Sequence, residues 1–338
     1  MEDNRKRAHE ILAGLDKGTR QRLLTGEAID VERLETPSLG LTRGLNGGWA
    51  MGRQVMLWGP KSAGKSTLVM QQMAVAQRAG KVCAYFDAEK TYDPSWAKRL
   101  GVDIDELIVH QTGTMTAVAN DAGTLMDSGV DVIAIDSISS LLPPTYLDKD
   151  GSLKPFEQTG AIGGFSRGMG PLVEQLSYRN NNTLLMMVSQ IRMGPKGPMH
   201  WGRGPMGGSA VEHANSQSVL LSSTNSDDNT IMAEVKIGDR IVNRPVGRWV
   251  NWLVDKSKTG PERASGKYAL YFDGDFVGVD TVGEMIEIGV EYGVIRKGGA
   301  WYYYGDDQLG QGALKAANRL REDESLYNEI KEKIYDAG

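Results

Sequence analysis

Gly59-Pro60-Lys61-Ser62-Ala63-Gly64-Lys65-Ser66 carries the spacing G-x-x-x-x-G-K-S/T, and Thr67 follows it. Glycines at those places let backbone N–H groups turn inward around phosphate oxygens, and a helix starting at the loop's end adds a favourable dipole. Lys65 then reaches the outer phosphates of a nucleoside triphosphate such as ATP, and the Ser66 hydroxyl holds Mg²⁺. An acidic group is needed beside that ion. The apolar run Val132–Ile135 ends in Asp136, placed to orient Mg²⁺ through its waters. Hydrolysis also requires a group that positions or deprotonates water. Glu89 follows the apolar run Val82–Phe86 and can emerge at the same strand-end crevice, but spacing alone leaves it equally readable as a solvated carboxylate.

Such a loop works only when a strand delivers it and a helix follows it. Val55–Trp58, Val82–Phe86, Leu107–His110, Val132–Ile135 and Leu184–Val188 read as buried strands with helical patterns between them, one of which runs from about Lys65 to Ala79. Buried runs alternating with helices predict an α/β fold, a mostly parallel sheet covered on both faces. Two stretches break this rhythm and read as long loops. Residues 151–171 hold Gly151, Gly160, Gly163, Gly164, Gly168 and Gly170, and residues 192–208 hold six Gly and three Pro with Arg192, Lys196 and Arg203 and no acid. Further strands are expected at Ser218–Ser222, Ile231–Ile237 and Val250–Val254. Helical patterns at Val282–Val290 and Gly312–Arg321 mark a smaller α+β module from about Ala269. At the other end, Ile11, Leu12, Leu15, Leu23 and Leu24 are spaced for one helical face.

The chain has 338 residues, 40% of them hydrophobic, enough for a sizeable core and incompatible with disorder throughout. A net charge of −5 does not exclude nucleic acid, because binding depends on where Lys and Arg cluster. The single cysteine, Cys83, excludes an intrachain disulfide framework and a cysteine zinc site, and its apolar neighbours read it as a buried hydrophobe. No apolar stretch approaches a membrane span, and Met1–Leu15 lacks the apolar segment of a secretory signal, so a cytoplasmic protein without a membrane partner is expected.

The motifs and their order resemble the RecA-type recombinases, bacterial or phage-encoded. The resemblance begins at Thr36-Pro37-Ser38-Leu39-Gly40-Leu41 and runs through Gly47-Gly48-Trp49-Ala50-Met51-Gly52-Arg53 into the phosphate loop. It continues in Asp87-Ala88-Glu89-Lys90-Thr91-Tyr92-Asp93-Pro94, Leu100–Asp105, Asp136-Ser137, Asn182–Leu185 and Ser189-Gln190-Ile191-Arg192, and ends in Gly299-Ala300-Trp301-Tyr302 with Gly310-Gln311-Gly312. It implies a RecA-like P-loop core with a mostly parallel sheet over residues 36–268, an N-terminal polymerisation segment at 1–35 and an α+β C-terminal domain at 269–338.

Position by position, the resemblance implies that Glu89 activates the attacking water and that Asp93 and Trp96 contact adenine. It makes Gln190 a γ-phosphate sensor that passes its state to residues 192–208. Lys256 and Lys258 match a pair reaching across a filament interface to the neighbour's ATP, although K-x-K alone reads as a solvated face. DNA contact falls to the two interrupted stretches, through Lys154, Phe156 and Arg167 in one and Arg192, Lys196, Trp201, Arg203, Gly207 and Gly208 in the other. The implied activity is a DNA-dependent ATPase that forms helical filaments on single-stranded DNA and exchanges strands with duplex DNA. A hexameric helicase-type motor and a non-hydrolysing DNA-coating protein are the alternatives. Lys61 stands where the common bacterial pattern has an acid, and the chain ends without an extended acidic tail, so a self-inhibiting tail is not expected. These departures suit a phage-encoded member.

Overall fold

Val55, Leu57, Tyr85, Val132, Ala134, Met186 and Val188 belong to one buried cluster, while Met56, Trp58, Phe86, Ile133, Ile135, Leu185 and Met187 belong to another. Successive side chains of a strand point to opposite faces, so these continuous apolar runs fill two cores at once. A computed structural model describes residues 2–16, 19, 31–159, 163–195, 201–223, 226–237, 240–274 and 276–337. They divide into two units, Met1–Arg33 and Leu34–Gly338. In the first, helix α1 (Glu2–Gly14) carries Ile11 on its exposed surface. Leu23 and Leu24 lie outside the described residues.

The second unit is built on an 11-stranded sheet. Its parallel part, in spatial order, is β7 (Gln217–Ser222), β1 (Gln54–Gly59), β5 (Leu184–Pro195), β4 (Val132–Asp136), β2 (Cys83–Asp87) and β3 (Leu107–His110). Beyond β7 the sheet turns antiparallel through β9 (Arg240–Ser257), β10 (Ser265–Tyr271) and β11 (Gly278–Val279). Helices α3 (Lys65–Arg78), α4 (Pro94–Arg99), α5 (Met115–Asp127) and α6 (Gly164–Arg179) are the crossover elements. The expected α/β class with a mostly parallel sheet is what the chain forms.

The structure departs from the sequence reading in three places. Residues 164–171, read as loop, open α6. At Gly168 a Cβ would come within 2.7 Å of the Met115 sulfur and 3.1 Å of Pro144, so this glycine serves close packing against α5, and a side chain there would have to displace the methionine. The 192–208 stretch is largely an antiparallel ribbon, in which β6 (Trp201–Pro205) pairs the extended end of β5. A ladder is a backbone structure, and glycines hide the period-2 pattern that would have announced it. The run read at Val250–Val254 is the middle of an 18-residue strand, β9, whose first half forms a second ribbon with β8 (Thr230–Ile237).

The C-terminal part contains α8 (Thr281–Glu291), a three-stranded sheet of β12 (Arg296–Gly298), β13 (Trp301–Tyr304) and β14 (Asp307–Gln311), then α9 (Ala313–Glu322) and α10 (Glu324–Ala337). Its own core includes Met285, Ile286, Ile295, Leu320, Ile330 and Ile334. Strand β10 runs across residues 268 and 269 and belongs to the central sheet. Helix α2 (Leu39–Gly44) joins the two parts, because the buried Glu284 carboxylate accepts from the Ser38 hydroxyl at 2.8 Å and from the Leu39 and Gly40 N–H groups.

Candidate nucleotide site and nucleic-acid ribbon

The phosphate loop leaves β1 at Gly59, where a Cβ would lie 2.2 Å from the Leu221 carbonyl oxygen; only glycine fits against β7 there. Ser62 and Gly64 both adopt positive φ, +60° and +86°, so consecutive backbone groups curl inward before α3 begins at Lys65. Helix α3 has no side-chain cap on its N-terminus, which leaves its first N–H groups to a ligand. Lys65 is buried, and its Nζ donates to the Gly59 and Pro60 carbonyls at 3.1 and 2.7 Å. Burial pulls its ammonium below the usual lysine range, against the opposing fields of Asp136 and Glu89.

Asp136 ends β4 beside the loop. Burial pushes its carboxyl up, while hydrogen bonds from Ser66 and Tyr85 hold it back; the Tyr85 hydroxyl donates to Oδ2 at 2.8 Å. A serine hydroxyl and a carboxylate form a hard oxygen pair, which fits Mg²⁺, an ion that keeps several waters and takes its remaining ligands from phosphates. Among the described residues no cluster of three or more His, Cys, Asp or Glu forms an all-protein metal cage.

Glu89 stands on the turn after β2. The buried Asp87 carboxylate holds that turn by accepting from the Thr91 and Tyr92 N–H groups, both at 3.0 Å, and from Gln111. Glu89 Oε1 accepts from Ser137 at 2.7 Å and Ser140 at 3.0 Å, and the Gln190 amide nitrogen sits 3.5 Å away. All three neighbours address Oε1, which leaves Oε2 as the oxygen for a water. Gln190 is fixed by its own backbone, whose N–H donates to Ser139 Oγ at 3.0 Å.

A cavity of about 310 Å³ is lined by Ser62, Gly64, Lys65, Ser66, Thr67 and Trp96 on one side and by Arg248, Leu270, Tyr271 and Phe272 on the other. Trp96 thus lies where a base could stack, although the Arg99 guanidinium already approaches its ring, 5.4 Å from the centroid. Asp93 caps α4, accepting from the Ser95 hydroxyl and the Ser95 N–H, both at 2.8 Å, and from the Trp96 N–H at 3.3 Å; those bonds, the Ser95 hydroxyl's first, hold its carboxyl below the usual range. Sequence reasoning missed Arg248, Tyr271, Phe272, Tyr85 and the serines around Glu89. Of these only Ser137 falls in a motif, Asp136-Ser137, and its bond to Glu89 is made by the fold.

Lys256 and Lys258 are not in this cavity. They donate to the Glu212 and His213 carbonyls at the end of α7 (Ser209–Ala214). Lys256 lines a separate cavity of about 200 Å³ with Pro205, Glu212, Asn215, Ser218 and Asp255. Burial pulls the Lys256 ammonium down, followed by the field of Lys258; neither Glu89 nor Asp136 contributes.

On the β5–β6 ribbon, Arg192 pairs with Gly204 and Arg203 with Met193. Those are successive pairs of one ladder, so the two arginines stand on opposite faces. Trp201 pairs with Pro195 nearest the tip, and Lys196 lies outside the described residues. Gly207 is buried, with positive φ and no room for a Cβ beside Val211, while Gly208 precedes α7 and is exposed. Arg167 is an exposed residue of α6. The Ser189 hydroxyl accepts from the Met206 N–H at 2.8 Å, which ties the exit of the ribbon to the residue before Gln190.

Residues 7–237 match the family model of the RecA N-terminal domain, and residues 283–337 match that of the RecA C-terminal domain. No helix among the described residues is long and apolar enough to cross a membrane.

Proposed function

This chain belongs to the RecA family of recombinases and P-loop ATPases, and from that premise we propose that it assembles as a helical filament on single-stranded DNA and exchanges strands with a homologous duplex while hydrolysing ATP. One observation carries the reading: Glu89 and Gln190 face each other 3.5 Å apart, and Gln190 lies on the strand that continues directly into the arginine-bearing ribbon. Nucleotide and DNA elements therefore share one strand, β5.

The phosphate loop and the N-terminus of α3 would hold the triphosphate. Bound phosphate oxygens would restore the ammonium form of Lys65 that burial disfavours. Ser66 and Asp136 would hold Mg²⁺, which supplies neutralisation of phosphate charge. Glu89, with Oε1 fixed by Ser137 and Ser140, would take the water proton on Oε2. Trp96 would stack on adenine. Asp93, which caps the helix that carries Trp96, would contact adenine beside it. ATP would favour the DNA-tight filament and hydrolysis would release it, a difference in affinity between two states. Duplex DNA would be matched through base pairing, with Arg167, Arg192, Lys196, Trp201, Arg203, Gly207 and Gly208 serving the backbone and base steps. The segment 1–35 would join protomers and the core from 36 would be the ATPase; the boundary expected at 268/269 falls inside β10, so the accessory domain would begin after β11. A cytoplasmic, phage-encoded recombinase acting in a bacterial cell fits these features.

Strand exchange with ATP and Mg²⁺ tests the proposal. Wild type is expected to form joint molecules, and Lys65→Ala to lose activity by at least about 100-fold, the scale of removing one transition-state charge contact. Exchange unaffected by Lys65→Ala refutes it.

A further inference from the structure

Arg248 stands in β9, 186 residues beyond Ser62, yet its Nη1 donates to the Ser62 carbonyl at 3.0 Å. Its guanidinium also lies over the Phe272 ring, 5.5 Å from the centroid, and both side chains line the cavity of the phosphate loop. We infer that Arg248 is a nucleotide-binding residue of this chain, a guanidinium on the β9 wall that grips triphosphate oxygens alongside Lys65. The inference rests on the nucleotide reading of that cavity and adds a second cation to it.

Three observations point the same way. Ser62 is the positive-φ residue in the middle of the phosphate loop, so a group bonded to its carbonyl is held against that loop. Lys65 has its Nζ on the Gly59 and Pro60 carbonyls and the fields of Asp136 and Glu89 about it, so the loop's own cation is shared with protein groups. Arg248, by contrast, has no carboxylate partner among the described residues, whereas Arg244 on the same strand is paired with Asp273. A half-buried arginine without a counter-anion, in a cavity built for a polyanion, is matched by phosphate. The planar fork gives one N–H to Ser62 and keeps others for phosphate oxygens, a geometry an ammonium lacks. The Phe272 ring fixes the plane of the fork and shields one face from water.

The test is DNA-free binding of ATP and ADP to wild type, Lys65→Ala, Arg248→Gln and Arg248→Lys. Glutamine keeps a polar amide at this position but carries no charge. Arg248→Gln is expected to weaken ATP at least about tenfold, with a loss that shrinks as salt rises, and to raise KM for ATP with kcat changed less than about twofold. Arg248→Gln binding ATP as wild type does would make Arg248 a structural tie and overturn the inference. Should the glutamine variant not fold, Arg248→Lys decides. A loss of about threefold or more that shrinks as salt rises supports the forked contact, and ATP binding within about threefold of wild type overturns it. A wild type that binds no nucleotide overturns both this inference and the reading beneath it.

Discussion

Ser189 is wholly buried, and its hydroxyl meets three neighbours. It accepts from the Met206 N–H at 2.8 Å, donates to the Gln190 carbonyl at 3.2 Å and lies 3.5 Å from Ser139 Oγ. Ser139 in turn accepts from the Gln190 N–H. Two small hydroxyls thus fasten the backbone of Gln190 and the end of the ribbon to one point. Removing the Ser189 hydroxyl strands the Met206 N–H, a penalty of about 1–3 kcal/mol. That is enough to change a coupling between sites by roughly 5- to 150-fold. Ser189→Ala is therefore expected to keep DNA-free ATP hydrolysis near wild type and to lose most of its stimulation by single-stranded DNA, with Ser189→Thr restoring part of it. The ratio of stimulated to basal rate is the measurement; a ratio unchanged in the alanine variant means the ribbon does not report to Gln190 through this hydroxyl. Ser189 stands in a motif, but its link to Ser139 was not legible in the sequence. A serine beside a strand end is common, and only the fold brings residue 139 against residue 189.

Among the elements, α2 and α8 are locked by one carboxylate whose protonation matters to stability. Burial pushes the Glu284 carboxyl up to about 7 from 4.5, although Ser38 and the Gly40 and Leu39 N–H groups pull it back and Glu287 adds to the rise. The folded chain then keeps its proton at pH values where the unfolded chain has lost it. The stabilisation from the neutral form is complete below about 4.5 and is lost as pH rises through about 7, a change of roughly 3 kcal/mol at most. Urea midpoints measured from pH 5 to pH 8 are expected to fall in wild type and to flatten in Glu284→Gln; parallel curves contradict the assignment. The element scale also shows why the sequence was readable in places. The phosphate loop is local and uses residues with few substitutes, and the parallel strands are continuous apolar runs, so both stand out. Helix α6 was hidden because its first turns are rich in glycine, of which Gly168 packs against Met115 and Pro144. The β5–β6 ribbon was hidden because glycine and proline erase the alternation that marks a strand. Arg248 was hidden because 186 residues separate it from the loop it touches.

For the whole molecule, the position of the two lysines decides what an active assembly must be. Lys65 feels Asp136 and Glu89, whereas Lys256 feels Lys258, Glu212 and Glu262, so the K-x-K pair and the Glu89 centre of one chain do not share a field. Strand β9 holds Arg248 in the nucleotide cavity and carries Lys256 eight residues later, roughly 27 Å along an extended strand. A register shift between Val254 and Lys256 then re-aims its end toward α7. If the lysines serve hydrolysis at all, they serve it at another copy's Glu89, through a head-to-tail contact that generates a filament. Mixing two defective proteins tests this. Glu89→Gln lacks the water-activating carboxylate and keeps the lysines, and the double variant Lys256→Ala with Lys258→Ala does the reverse. Each alone is expected to lose DNA-stimulated hydrolysis. In an equal mixture about a quarter of interfaces pair an intact Glu89 with intact lysines, so about a quarter of the wild-type rate should return. A mixture no more active than its parts places the lysines outside the neighbour's site. Full activity in the double variant alone removes them from the chemistry altogether.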